Sequence, residues 1–359
     1  MIAILSCWPP SVAAGSGTTV SQNRLVQALA QAGIEAEVLH TSRFATSPAG
    51  IEERRRLNAE LGSGLEPYEA VLGIDGEGWL WAAKQRHTPY IAFCEAVLVE
   101  VLPFEDAAST ELLRIQAGWE AAAAQSADAV VARSAFAAGR VAAAYDVPRG
   151  RITILPIPFD VDAWQASMPP AAKEPLVLAV GHAYPRKNYR ALLAAWPAVV
   201  AAHPGARLTI VGAGPESPAL GCLVAGLPSA TLLGHVPYAE LLALYARASV
   251  FCHPSLQENF GIAVVEGLAS GASVVTHHHP ALLENTAGLP GAYVVDAADQ
   301  RALAQALNAA LSVPSPWPAS RLAGLRTKLN PQRIGQQVSE LLRTLAATYR
   351  VDGADPKHD

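Results

Sequence analysis

The sequence predicts an α/β fold built from two parallel-sheet domains. Three observations predict it. Short apolar strands alternate with helical stretches through residues 1–165. The alternation stops at a proline-rich break, "QASMPPAAKEP" (165–175), and then restarts. At 359 residues the chain is also longer than one ordinary core accommodates.

In the first half, strands are read at 2–7, 35–40, 70–74, 90–94, 129–132 and 152–155. Between the first two, "TTVSQNRLVQALAQAGI" sets Val20, Leu25, Leu29 and Ile34 on a rough helical face, with Gly33 as terminator. Units of this kind wind right-handed and give an open sheet covered on both faces. In the second half, strands are read at 176–181, 207–212, 230–234, 249–252, 272–276 and 292–295. After Pro318 the chain turns helical. There Ile334, Val338, Leu341, Leu342 and Leu345 share one face, ahead of the polar tail "VDGADPKHD". The expected division is a Rossmann-like domain over 1–165, a linker over 166–175, a second Rossmann-like domain over 176–325, and a C-terminal helix and tail over 326–359. Ligand is expected between the domains, near the carboxyl ends of the strands.

Composition narrows the classes. With 51% hydrophobic and 16% charged residues, the chain reads as globular rather than disordered. Net charge is −5, and residues 1–165 hold 12 basic against 19 acidic side chains. That balance argues against nucleic acid and against strong adhesion to anionic lipid. No apolar run reaches 18 residues, so no membrane-spanning segment is expected. The start, "MIAILSCWPP", lacks a basic leader and reads as a strand. Cys7, Cys94, Cys222 and Cys252 form no C-x-x-C pair, and three lie in or beside apolar runs. Buried thiols in a reduced, cytoplasmic protein are expected.

The stretch 253–275, "HPSLQENFGIAVVEGLASGASVV", carries the densest chemistry. Strands "SVFC" and "ASVVT" flank a helix that "GIAVVEGLAS" would form, with Gly271 past its end. Glu258 precedes the helix and Glu266 lies inside it, either side of Phe260-Gly261. A helix N-terminus offers unpaired N–H groups, here from Phe260, Gly261 and Ile262, and suits a phosphate. Glu266 would stand about 6 Å along the axis from Ile262. Two carboxylates astride a phosphate site suit a phosphate bridge flanked by hydroxyl-bearing rings, as in a sugar nucleotide. Upstream, Gly15 and Gly17 in "GSG" precede a helix, where they serve either as a turn or as a close approach to ligand.

These residues resemble the retaining glycosyltransferases of family 4 (group 1 glycosyltransferases), which have the GT-B fold of two facing Rossmann-like domains. The resemblance is carried by "LPIPFDVDAW" (155–164), "VGHAYPRKN" (180–188), "LTIVGAGP" (208–215) and the run from "LLGHVPYAELL" through 275. Glu258 and Glu266 fall on that family's E-x7-E pattern. The resemblance implies a hexosyltransferase-type enzyme moving a sugar from a UDP-, GDP- or ADP-sugar to a hydroxyl acceptor, without a metal or other cofactor. It assigns Glu266 to the ribose hydroxyls, Glu258 to the donor sugar, and Lys187, with help from Arg186, to the diphosphate. A C-terminal helix packed across the domain gap is compatible with it.

Two positions depart from the family. Its diphosphate arginine is His182 here, which cannot form the bidentate fork. A histidine after the fourth strand is replaced by Glu95, which can accept from sugar or acceptor hydroxyls but cannot donate. These departures leave room for a non-catalytic nucleotide-binding partner, or for an enzyme that couples a cyclitol on the same scaffold. His277, His278 and His279 sit too close together on a strand end to converge on one ion, so no metal is expected. "EERRR" (52–56) reads as a solvated helix face. Loops 41–68 and 95–110, where an acceptor is expected, carry no recognisable signature.

Overall fold

A computed structural model describes residues 1–8, 17–40, 43–313 and 315–352. The chain divides into two compact units, Met1–Phe159 with Leu329–Asp359, and Asp160–Lys328.

The first unit runs β1 (Ile2–Ser6), α1 (Gly17–Gln31), β2 (Ala36–His40), α2 (Pro48–Glu60), β3 (Val71–Ile74), α3 (Trp79–Ala82), β4 (Tyr90–Cys94), α4 (Ala107–Ser126), β5 (Ala129–Ala132), α5 (Ala135–Tyr145) and β6 (Ile152–Ile154). Its sheet is parallel throughout, in the order β2-β1-β3-β4-β5-β6. The inner strands are apolar without a break because both faces are covered. Successive side chains point to opposite faces. Ala3, Leu5, Val71 and Ala92 therefore join one core layer with Ala123, Ala124 and Val141. Ile2, Ile4, Leu72 and Phe93 join the other with Leu25 and Leu29.

The second unit runs α6 (Val161–Ser167), β7 (Glu174–Val180), α7 (Tyr189–Ala202), β8 (Arg207–Val211), α8 (Ser217–Ala225), β9 (Ala230–Leu233), α9 (Tyr238–Arg247), β10 (Ala248–His253), α10 (Ile262–Ala269), β11 (Ser273–His277), α11 (Pro280–Thr286), β12 (Ala292–Val295), α12 (Gln300–Leu311) and α13 (Ala323–Leu329). Its parallel sheet is ordered β12-β11-β10-β7-β8-β9. Val177, Ala179, Ile210, Val250 and Cys252 pack with Trp196 of α7 and Leu303 and Leu307 of α12. All twelve strands read from the sequence are present.

The last helix, α14 (Pro331–Asp352), returns to the first unit. Ile334 and Val338 are fully buried, and Leu341, Leu342 and Leu345 pack beside them on the α1 face. Gly335 makes that approach possible. A Cβ there would stand 2.1 Å from the Ala28 carbonyl oxygen of α1.

The unit boundary falls at Phe159/Asp160, ahead of the linker expected at 166–175. Asp160 caps α6 by accepting from the Asp162 and Ala163 amides (3.1 and 2.9 Å). Trp164 then packs edge-on against Tyr245, and Gln165 donates to the Ala269 carbonyl (2.9 Å). Those contacts bind α6 into the second unit. The proline-rich break holds the end of α6 and the start of β7.

A second difference concerns "EERRR". Arg55 and Arg56 are solvated and pair with Glu52 and Glu60. Arg54, one turn before the buried Asn58, faces inward, is 1% exposed and bonds Glu77 (2.6 Å) and the Asp75 carbonyl (3.0 Å). All four cysteines are free thiols, and Cys222 alone among them is exposed. No described helix is long and apolar enough to cross a membrane.

Gly335→Leu should destabilise the first unit by about 1–3 kcal/mol, because the added side chain drives into α1 backbone. Urea unfolding followed by circular dichroism measures the loss; an unchanged midpoint would contradict the packing.

Candidate functional site

In the second sheet, β7, β8 and β9 proceed in one direction, while β10, β11 and β12 lie on the other side of β7. The crevice outside the carboxyl ends of β7 and β10 is therefore the topological switch point, where open α/β sheets bind ligands. Two loops line it, 181–188 after β7 and 254–261 after β10. The Leu256 amide donates to the Arg186 carbonyl (2.8 Å), tying one loop to the other. The β7 loop is also locked to the loop after β8. Gly181 and Ala183 amides donate to the Val211 and Ala213 carbonyls (3.0 and 3.1 Å). A Cβ at Gly212 would stand 2.1 Å from the Gly181 oxygen, so only glycine permits this contact.

Lys187 ends a single 3-10 turn, Pro185–Lys187, and Glu258 lies in the β10 loop. Their side chains form an ion pair across the switch point, with the ammonium on Glu258 Oε1. His253, the last residue of β10 and 2% exposed, reaches the same oxygen through Nε2 (2.8 Å). Burial alone would raise the Glu258 carboxyl, but Lys187, His253 and Arg186 outweigh it and hold it well below the usual carboxylate range. Burial lowers Lys187, against the pull of Glu258. Burial likewise lowers His253, which favours the neutral ring. The Arg186 guanidinium lies over the Tyr184 ring, 4.8 Å from its centroid.

The α10 helix begins at this crevice. Gly261 is its N-cap at φ +82°, so the capping position itself carries no side chain. A Cβ at Gly261 would meet Leu282 at 2.5 Å. Phe260 is buried, and its carbonyl accepts from Asn285 (2.8 Å). The opposite end of α10 is crowded with donors. Lys173 binds the Ser270 and Tyr245 carbonyls (2.8 and 3.1 Å). Arg321 binds those of Leu268 and Ala272 (3.0 and 2.7 Å). These cations satisfy orphan carbonyls and oppose the negative end of the helix dipole. Burial, with Arg321 nearby, brings Lys173 down to about 8. Glu266, in the second turn, is 8% exposed and accepts from the Tyr245 hydroxyl on Oε2 (3.0 Å).

The structure brings Lys187, Arg186, Glu258, Phe260 and Gly261 to the two loops of one switch point, with Ile262 and Glu266 on the helix that starts there. His182 follows β7. Its Nδ1 donates to the Ala213 carbonyl (3.1 Å), and its ring lies beside those of Tyr184 and His235. It thus helps lock the two β–α loops together. Gly17 opens α1 in the first unit, and Gly15 lies outside the described residues.

Glu95 differs from the hydroxyl-binding carboxylate that was expected. It is 9% exposed, and its Oε1 accepts from Arg133 Nε (2.8 Å) and Ser21 Oγ (3.0 Å). A carboxylate so buried requires a charge partner, and Arg133 at the end of β5 supplies one. The Glu95 amide in turn donates to Asp75 (3.0 Å), which also accepts from Trp8 Nε1 (2.8 Å). Burial, Glu120 and Glu95 push Asp75 up to about 8.

The histidine run diverges. His277 accepts from the Ala297 amide (3.1 Å). His279 caps α11 through Nδ1 and bonds Gln257 through Nε2 (3.1 Å), while His278 is exposed. Among the described residues no group of three His, Cys, Asp or Glu side chains is placed to hold a metal ion. Sequence reasoning gave no role to His253, Arg133, Lys173 or Arg321. A basic or imidazole side chain ending an apolar strand, as at "VFCH" and "VVAR", was the available signal for two of them.

Residues 174–312 match the family model described as glycosyl transferases group 1. Across a longer stretch the chain is 25% identical to glycogen synthase of Mycobacterium tuberculosis, covering 75% of each chain. Among solved structures it is similar to sucrose-phosphate synthase of Thermosynechococcus elongatus, at 20% identity and a TM-score of 0.73, covering 97% of this chain and 99% of that one. It is also similar to Anabaena HepE in complex with UDP and glucose, at 15% identity and a TM-score of 0.70, covering 95% and 99%. The fold is GT-B.

A pH series tests the electrostatics of the site. Because Glu258 is held below its unfolded value of 4.5, its stabilising contribution is complete above pH 4.5 and is lost as pH falls through the lower folded value. Urea titrations should show Glu258→Gln well below wild type at pH 7, with the gap narrowing progressively as pH falls below 4.5. A gap that persists unchanged at pH 3 would contradict this.

Proposed function

We propose that the chain, whose residues 174–312 match the family model described as glycosyl transferases group 1, transfers a hexose from a nucleoside-diphosphate sugar to a hydroxyl acceptor with retention at the anomeric carbon. The observation that carries the reading is the Lys187–Glu258 pair across the switch point, beside the glycine-capped N-terminus of α10. The site pairs a cation and helix amides, suited to a diphosphate, with carboxylates suited to hydroxyls.

In this reading Lys187 leaves Glu258 for the diphosphate and is assisted by Arg186. The amides of Phe260, Gly261 and Ile262 meet phosphate or sugar oxygens. Glu266 takes the ribose hydroxyls, positioned by its bond from Tyr245. Glu258 faces the sugar, and its charge supports the positive character that develops at the anomeric carbon. The acceptor hydroxyl attacks that carbon on the face the diphosphate is leaving. The bond from anomeric carbon to phosphate oxygen breaks, and a phosphate oxygen of the leaving group receives the acceptor proton. The products are a glycoside and a nucleoside diphosphate. Lys187, Arg186 and the helix amides supply the charge neutralisation, and the reaction proceeds without a metal. Four free thiols suit a reducing compartment, and we place the reaction in the cytoplasm. The acceptor is assigned to the first unit.

One pair of observations favours a second reading, a non-catalytic nucleotide-binding protein. Glu95 is engaged by Arg133, and His182 is engaged by a backbone carbonyl. Tight nucleotide binding without transfer or donor hydrolysis distinguishes it.

The test is a panel of UDP-, GDP- and ADP-hexoses assayed with purified protein in EDTA, with product configuration read by NMR. Glu266→Ala should weaken nucleotide binding about 10- to 100-fold, the worth of hydrogen bonds to a charged group. Lys187→Ala should lower kcat about 100- to 1,000-fold, the usual loss of one group that stabilises developing negative charge. No saturable nucleotide binding, or unchanged activity in both variants, would defeat the reading.

A further inference from the structure

We infer that His253 is a positioning residue for Glu258, holding the carboxylate in place once Lys187 has moved onto the donor diphosphate. The inference rests on the reading that Glu258 faces the donor sugar.

Lys187 Nζ and His253 Nε2 both bind Glu258 Oε1, and neither bond uses Oε2. The two anchors differ in what they can do. Lys187 ends a short turn on a loop and carries a long flexible stem. His253 is the last residue of β10, hydrogen-bonded in register with Thr276 of β11. Its carbonyl accepts from Thr276 Oγ1 (3.1 Å). Its ring lies nearly parallel to that of Phe251, at an interplanar angle of 13°. A diphosphate can draw the lysine away; nothing comparable draws away a buried strand residue.

The ring's protonation follows from its surroundings. Its Nδ1 is buried with no partner among the described residues. A proton on Nδ1 would be an orphan donor, and the Nε2 lone pair would then face a carboxylate oxygen. A proton on Nε2 removes that repulsion and leaves only an unpaired acceptor. The neutral Nε2–H tautomer is therefore the stable one, and it donates to Glu258. With Lys187 gone, this bond alone anchors Oε1 and leaves Oε2 to meet the sugar.

The experiment compares His253→Ala and His253→Gln in the full chain, using the hexose donor that wild type turns over. A Gln side-chain amide can place an N–H near the position of Nε2. His253→Ala should lower kcat about 10- to 100-fold, the worth of one hydrogen bond to a charged group. Binding of the matching nucleoside diphosphate, which lacks the sugar, should change less than about threefold, within the energy of one weak contact. His253→Gln should recover most of kcat. Wild-type turnover in His253→Ala would overturn the inference. So would equal loss of nucleoside diphosphate binding and turnover that glutamine fails to rescue, since that marks a purely structural role. Absence of donor turnover in wild type itself would instead defeat the proposed function.

Discussion

One ion pair organises the second unit's carboxyl edge. Lys187 and Glu258 stand 71 positions apart and meet because β7 and β10 are neighbours in the sheet while their helices leave in different directions. Without the switch of direction, a helix would cover the place where they meet. Each loop is fixed by backbone bonds before its side chain is considered: the β7 loop to the β8 loop, and the β10 loop to Arg186. The charges are thus set on rigid supports. Their mutual satisfaction is what lets both be nearly buried.

The α10 helix extends the same logic. Its C-terminal carbonyls are taken by Lys173, Gln165 and Arg321, while its N-terminus is left to the crevice. Such asymmetry leaves the positive end of the dipole available to an anion. Gln165 and Lys173 come from the segment between the two sheets, which explains why α6 belongs with the second unit. That segment fixes the far end of the helix on which the site depends. In the first unit, buried charges are met by partners from other elements of the same unit, Glu95 by Arg133 and Glu77 by Arg54.

The strands and the division into two sheets were legible because each depends on local apolar runs and their spacing. Glu258, Glu266 and Lys187 could be singled out because each lies in one short segment whose spacing resembles a family pattern. What escaped was long-range pairing. Arg133 lies 38 positions from Glu95, and Arg54 lies 23 from Glu77. Arg321 lies 53 from the Leu268 carbonyl it binds. Nothing in local periodicity marks such partners, and a buried arginine looks like a solvated one until the sheet order is known. Lys173 was hidden for another reason: prolines around it make its segment look like a bare connector. His253 is only five positions from Glu258, yet its role requires the chain to turn back on itself after β10.

The proposed function requires a donor diphosphate to dock at the β7/β10 switch point and to take Lys187 from Glu258. A crystal structure of the protein with the nucleoside diphosphate it binds tests this most directly. Phosphate oxygens should lie within hydrogen-bonding distance of Lys187 Nζ and the first amides of α10, with Glu258 still on His253. A nucleotide bound elsewhere, or a Lys187–Glu258 pair left intact beneath it, would rule this docking out.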